Sequence, residues 1–137
     1  MINSVNEAVQ NVNANDNVLF ATDVIRTRSA TCCGWLQHNA GSGIFQLTKP
    51  GIYKIDFNAN ITSATAGALA LAFKNNGEQM IGTEMDVTIA TANANQNISA
   101  NRLVKVCGNG SISLTIANVG TLATLVKNAN IIIEKIA

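Results

Sequence analysis

Charge is scarce in this chain of 137 residues: 12% of them are Asp, Glu, Lys or Arg, about half the usual share, so the polar surface must be built from Asn, Thr, Ser and Gln. A formal net charge of +1 supplies no field that would gather a nucleic acid backbone or an anionic bilayer, and neither is an expected partner. Long apolar runs are missing too. No stretch reaches the ~18 residues a membrane span needs, and Met1-Ile2-Asn3-Ser4-Val5-Asn6-Glu7 lacks the basic and apolar regions of a signal peptide. The expectation is a protein made in a cytoplasm and kept there or released by lysis. Histidine occurs once, at His38. With Cys32, Cys33 and Cys107 it does not give tetrahedral zinc spacing, and no metal is expected. An odd number of cysteines without an export signal reads as reduced, buried or half-buried thiols. Adjacent Cys32 and Cys33 cannot point the same way on a strand.

What is present is apolar alternation. The length is that of one domain, and 47% of the residues are apolar, enough for a continuous core without cross-links. Asn and Gly favour turns, and the apolar set is mainly Ile, Val, Leu and Ala, so composition leans towards strands. Tyr53-Lys54-Ile55-Asp56-Phe57-Asn58-Ala59-Asn60-Ile61 alternates without a break, predicting a half-buried strand. Gly43 to Thr48 predicts another before it, with Lys49-Pro50-Gly51 turning between them as a hairpin-like step. Further strands are predicted at Ala68 to Phe73, Gln79 to Ala90, Ile98 to Val106, Ser111 to Ala117 and Leu125 to Ile136, with Asn75-Asn76-Gly77 and Gly108-Asn109-Gly110 as turns. Many strands, Gly and Asn turns and no convincing helix indicate a sandwich or barrel. Ile2, Val5, Val9 and Val12 are spaced as on one helix face, but the intervening Asn residues disfavour a helix. Residues 1–16 are therefore expected as an N-terminal arm or short stalk, and 17–137 as the domain.

The stretch Gly43-Ile44-Phe45-Gln46-Leu47-Thr48-Lys49-Pro50-Gly51-Ile52-Tyr53-Lys54-Ile55 resembles the G-x-F-x-x-x-x-x-G-x-Y-x-F pattern of the tumour-necrosis-factor-like superfamily, which includes complement globular heads. Ile55 stands where an aromatic is common. Ala68 to Gly77 is similar to the strand and K-N-G turn that follow in that superfamily, and Ile131-Ile132-Ile133 to its apolar last strand. The resemblance covers about residues 17 to 137. It implies an all-β, antiparallel jelly-roll β-sandwich, one domain, assembled as a homotrimer. The implied core comprises Phe45, Tyr53, Ile55, Phe57, Leu69, Leu71, Phe73, Ile112, Leu114, Ile116, Ile131 and Ile133. Ile131 and Ile133 point one way on the last strand while Ile132 and Ile136 point the other, giving either a second buried face or isoleucines in water. The implied trimer interface joins Lys54, Asp56, Asn58 and Asn60 to Leu103, Asn130, Ile132, Glu134 and Ile136, with Lys54 and Glu134 as partners between subunits. Such a pair would fix register more than add stability.

Catalysis needs a nucleophile held against a base. Cys32 or Cys33 with His38 is the only such combination near in sequence, and sequence proximity is not geometry. Glu84 and Asp86 are a same-face acidic pair on a predicted strand, and a solvated face is their ordinary use. Gly108-Asn109-Gly110 enters a strand and not a helix, so it is no phosphate loop. Trp35, the lone tryptophan, is expected in core packing rather than ligand contact. No catalytic residues and no cofactor are expected. The resemblance extends to bacterial and phage members, so the expected role is a non-enzymatic virion structural protein, a capsid decoration or head fibre on the virion surface with adhesive loops. Its partners would be itself, a phage capsid protein, or a host surface glycan or protein. A tail-tip receptor-binding head and a bacterial spore-surface or secreted adhesion or ligand module are the alternatives.

Overall fold

The computed structural model describes residues 1–27 and 36–137. Among them lie twelve strands and no helix: β1 (Ile2–Asn6), β2 (Gln10–Val12), β3 (Thr22–Arg26), β4 (Leu36–Gln37), β5 (Phe45–Leu47), β6 (Gly51–Thr62), β7 (Gly67–Asn75), β8 (Glu78–Gln79), β9 (Met85–Ile89), β10 (Gln96–Val106), β11 (Ile112–Asn118) and β12 (Thr124–Lys135). They form two antiparallel sheets. The first runs β10-β6-β12-β1-β3, with β2 also on β12; the second runs β4-β5-β11-β7-β8, with β9 also on β7.

Alternation explains how the sheets meet. Tyr53, Ile55, Phe57, Ala59 and Ile61 of β6 are buried, as period-two spacing requires of a strand with one face on a core. All twelve residues implied as core are buried, and Val18, Phe20 and Ile2 join them. The two sheets are held by aromatic edges. Phe57 of the first sheet meets Phe73 of the second at 6.4 Å and Phe20 at 6.3 Å, and Phe20 meets Phe45 at 5.3 Å, all edge to face. Such pairs add about 0.5–1.5 kcal/mol each beyond the area they bury. Tyr53 is buried with its hydroxyl donating to the Lys49 carbonyl at 2.7 Å, and burial raises its phenol above the usual value.

One irregularity sets the phase of β12. Lys127 pairs with Asn60 and Asn130 with Asn58, so residues 128 and 129 oppose Ala59 alone. This is a β-bulge. Asn128 adopts φ 54° there, a left-handed conformation that Asn tolerates better than other residues with a Cβ. The bulge lets Thr124 and Val126 face inward before it and Ala129, Ile131 and Ile133 after it; all five are buried.

Several expectations are corrected. Residues 1–16 do not stand apart as an arm or stalk: β1 lies between β12 and β3, and β2 pairs with β12. Ile2 and Val12 are buried while Val9 is exposed, so their helix-like spacing reflects two short strands with a turn. Buried Asn118 fastens this segment, its side-chain amide donating to the carbonyls of Val12 at 2.9 Å and Leu122 at 2.8 Å. The step through Lys49-Pro50-Gly51 is no hairpin, because β5 pairs with β11 and β6 with β10 and β12. It carries the chain from one sheet to the other. A Cβ at Gly51, where φ is 149°, would stand 2.5 Å from the Ala137 carbonyl; glycine lets the C-terminus close over this crossing. The strand predicted over Gln79 to Ala90 is broken into β8 and β9 around Gly82 at φ 78°. Strands β3 and β4, unforeseen in the sequence, form facing edges of the two sheets.

Candidate functional site

The outward face of the first sheet gathers most of the residues implied as an interface. Register sets them in rows. Lys54 lies between Leu103 on β10 and Glu134 on β12; Asp56 between Asn101 and Ile132; Asn58 between Ser99 and Asn130. The second row continues through Asn3 on β1 to Ile25 on β3. Residues directly opposite on antiparallel strands share a face, so Asn3, Val5, Ile25, Asn97, Ser99 and Asn101 belong to this surface as well. The odd-numbered polar run on β10 carried that signal in the sequence. The β1 and β3 residues had none, because their strands were not foreseen.

Amides dominate this surface and bond to each other. Asn3 donates to the Asn130 side-chain oxygen and to the Ile131 carbonyl at 3.0 Å. Asn97 donates to the Asn60 side-chain oxygen at 3.0 Å and to the Ala59 carbonyl at 3.2 Å. Apolar side chains sit among them: Ile132 is half-buried, Leu103 is 57% exposed and Ile25 50%. Ile136 lies beyond the end of β12 and is exposed. Lys54 and Glu134 are register neighbours within one chain, while the ion pair Lys54 makes is with Asp56, at 3.7 Å along its own strand. The amino terminus borders the sheet and donates to Thr27 Oγ1 at 2.7 Å; burial lowers its amino group, and Glu134 works against that shift.

His38, the lone histidine, is fixed and not poised. Its side chain is wholly buried, with Nδ1 2.8 Å from Asp23 Oδ1 and Nε2 2.9 Å from the Ser42 carbonyl, and it stacks on Phe45 at 4.1 Å. Cys32, Cys33 and Trp35 lie outside the described residues. Cys107 is exposed, which corrects the expectation of a covered thiol: it follows the last inward residue of β10 and opens the turn closed by the Gly110 N–H on the Cys107 carbonyl at 2.9 Å. Glu84 and Asp86 are exposed, and Glu84 precedes β9. Among the described residues, no three His, Cys, Asp or Glu side chains gather as metal ligands, and no helix is long and apolar enough to cross a membrane.

No protein-family model matches the sequence, and no curated protein matches it either. Solved structures do match the fold. The globular domain of zebrafish complement 1qA superposes with a TM-score of 0.73 at 14% identity, covering 99% of this chain and 96% of that one. Eiger TNF from S. frugiperda gives 0.68 at 11%, covering 99% and 92%. Murine APRIL at pH 5.0 gives 0.63 at 12%, covering 98% and 97%. The chain therefore has the tumour-necrosis-factor-like jelly-roll fold over nearly its whole length, including the first sixteen residues.

Proposed function

We propose that this protein is a non-enzymatic homotrimer that displays loops for binding, and that it serves on a phage particle as capsid decoration or head fibre. The observation that carries the assembly is the outward face of the first sheet. There the half-buried Ile132 and exposed Leu103 sit in a field of amides, with one nearby ion pair, on the sheet that the sequence resemblance implies for subunit contact. An antiparallel sheet with apolar residues on its second face has a reason to be covered. In the trimer, Lys54, Asp56, Asn58, Asn60, Leu103, Asn130, Ile132, Glu134 and Ile136 lie between subunits. The display role is supported by the fold shared with the complement 1qA globular domain and Eiger TNF. The virion setting rests on the resemblance to phage-type members alone.

Light scattering on a size-exclusion column tests the assembly. A molar mass of three chains that persists on dilution is expected; a mass of one chain refutes it. Binding of the purified trimer to capsids lacking it, seen as co-sedimentation, tests the setting, and capsids that never retain it refute that part alone.

A further inference from the structure

A second site lies away from that face, at the seam where the edge strands of the two sheets come together. β3 ends the first sheet and β4 ends the second. A groove of about 400 Å³ opens beside them, lined by Arg26, Gln37, Asn39, Ile44 and Gln46, with the buried His38 beneath.

The groove is built on fixed groups. Asp23 and Arg26 pair with Ser4 and Ile2 across β1, so they project from β3 towards the second sheet. Asp23 holds His38 as described. The Arg26 guanidinium donates through Nη1 to the His38 carbonyl at 2.9 Å and to Asp23 Oδ2 at 3.4 Å, and through Nη2 to the Leu36 carbonyl at 3.3 Å. Three acceptors thus set the plane of a group with five N–H donors, leaving two uncommitted among the described residues. Gln37 and Gln46 stand directly opposite each other across β4 and β5, both exposed, as is Asn39. None of these three side-chain amides makes a hydrogen bond among the described residues. Ile44 offers an apolar surface, 43% exposed, beside them.

This chemistry selects among ligands. The Arg26 charge is taken up by Asp23, which disfavours a phosphate or other compact anion. Among the described residues the one ring at the groove is the buried His38 imidazole, already stacked on Phe45, so they give a nucleic acid base no exposed platform. A two-residue β4 is too short to accept an added peptide strand. Three planar amides, each donor and acceptor together, match vicinal hydroxyl groups that are themselves both, and Ile44 matches the apolar C–H face of a sugar ring. We propose that this groove binds a neutral saccharide of the surface to which the protein attaches, with Ile44 under the ring, Gln37, Asn39 and Gln46 at its hydroxyls, and Arg26 donating at one end. The inference rests on the display-and-binding reading above.

The test is a titration of the intact protein with glucose, galactose, mannose, rhamnose, N-acetylglucosamine and their oligomers up to four units, following the side-chain NH₂ signals of Gln37, Asn39 and Gln46 by NMR. At least one sugar should shift the Gln37 and Gln46 signals with a dissociation constant in the millimolar range. The double variant Gln37→Ala/Gln46→Ala, altered only at exposed positions, should weaken that sugar about tenfold or more. Silence of all three amides across the series overturns the proposal, as does an Asn39 signal that titrates with undiminished affinity in the double variant. Light scattering separates the two readings: a trimer with a silent groove refutes the saccharide site, whereas a monomer that binds sugar refutes the trimer.

Discussion

Replacing Ile132 with Asp separates the fold from the assembly. In the isolated chain, the new carboxylate would stand directly across from Asp56 on β6 and Asn3 on β1. A like-charge pair across strands costs about 0.2–1 kcal/mol, and Lys54, 3.7 Å from Asp56, offsets part of it. Ile132 is half-buried in the single chain, so losing its side chain removes about another 1 kcal/mol of apolar burial. A total of about 1–2 kcal/mol leaves a domain with an ordinary stability of about 5–15 kcal/mol folded. Assembly multiplies the effect. Three carboxylates would be withdrawn from water without partners, at several kcal/mol each. The summed cost is on the order of 10 kcal/mol, and every 1.4 kcal/mol is a tenfold change in the equilibrium. Light scattering at micromolar protein should give one chain for Ile132→Asp and three for Ile132→Asn, which matches its size without the charge. Both variants should unfold cooperatively. Acidification below the ordinary Asp range, about pH 3.9, should restore association of the Asp variant. A three-chain mass for Ile132→Asp at neutral pH, with an unchanged thermal midpoint, would refute the reasoning and return this face of β12 to solvent.

Three other perturbations test the fold that carries the sites. At the β12 bulge, Asn128→Gly should leave stability unchanged or raise it by a few tenths of a kcal/mol, while Asn128→Val should lower it by about 1–2 kcal/mol; urea midpoints decide, and equal midpoints would contradict the left-handed backbone at φ 54°. The Tyr53 phenol, raised by burial, stabilises the fold fully below its unfolded value of about 10, and that contribution is lost as the pH rises through the folded value. Stability should therefore fall above about pH 10, and Tyr53→Phe should flatten that decline; an unaltered slope would place its origin elsewhere. The buried Thr62 hydroxyl has no hydrogen-bond partner among the described residues, so Thr62→Val should be neutral or stabilise by up to about 1 kcal/mol, whereas a loss beyond about 1 kcal/mol would mean the hydroxyl is satisfied.

Much of the core was legible because burial on a strand is a local, period-two property. The runs at Tyr53 to Ile61 and Ser111 to Ala117, and the three isoleucines at 131–133, show in their own order which residues face inward, and the turn at Asn76-Gly77 shows where the chain reverses. The outward residues of β6 and β12 followed from the same alternation, whereas their use as an interface was implied by the resemblance and not by the pattern. The first sixteen residues misled because strands of five and three residues are too short to display a period, so the segment read as an arm or short stalk outside the domain.

What the sequence determined by itself was the set of inward and outward residues, the strand-rich class and the scarcity of charge. Tertiary structure alone decided which strands are neighbours. Asn3 bonds to Asn130 and Ile131, 127 and 128 residues away, and pairings at that separation leave no trace in local pattern. The same holds for the crossing at Pro50 and for the Asn128 bulge, whose phase depends on Ala59 of another strand. It holds most of all for the groove at Arg26, because its walls come from the edges of two different sheets and exist only once those sheets have packed.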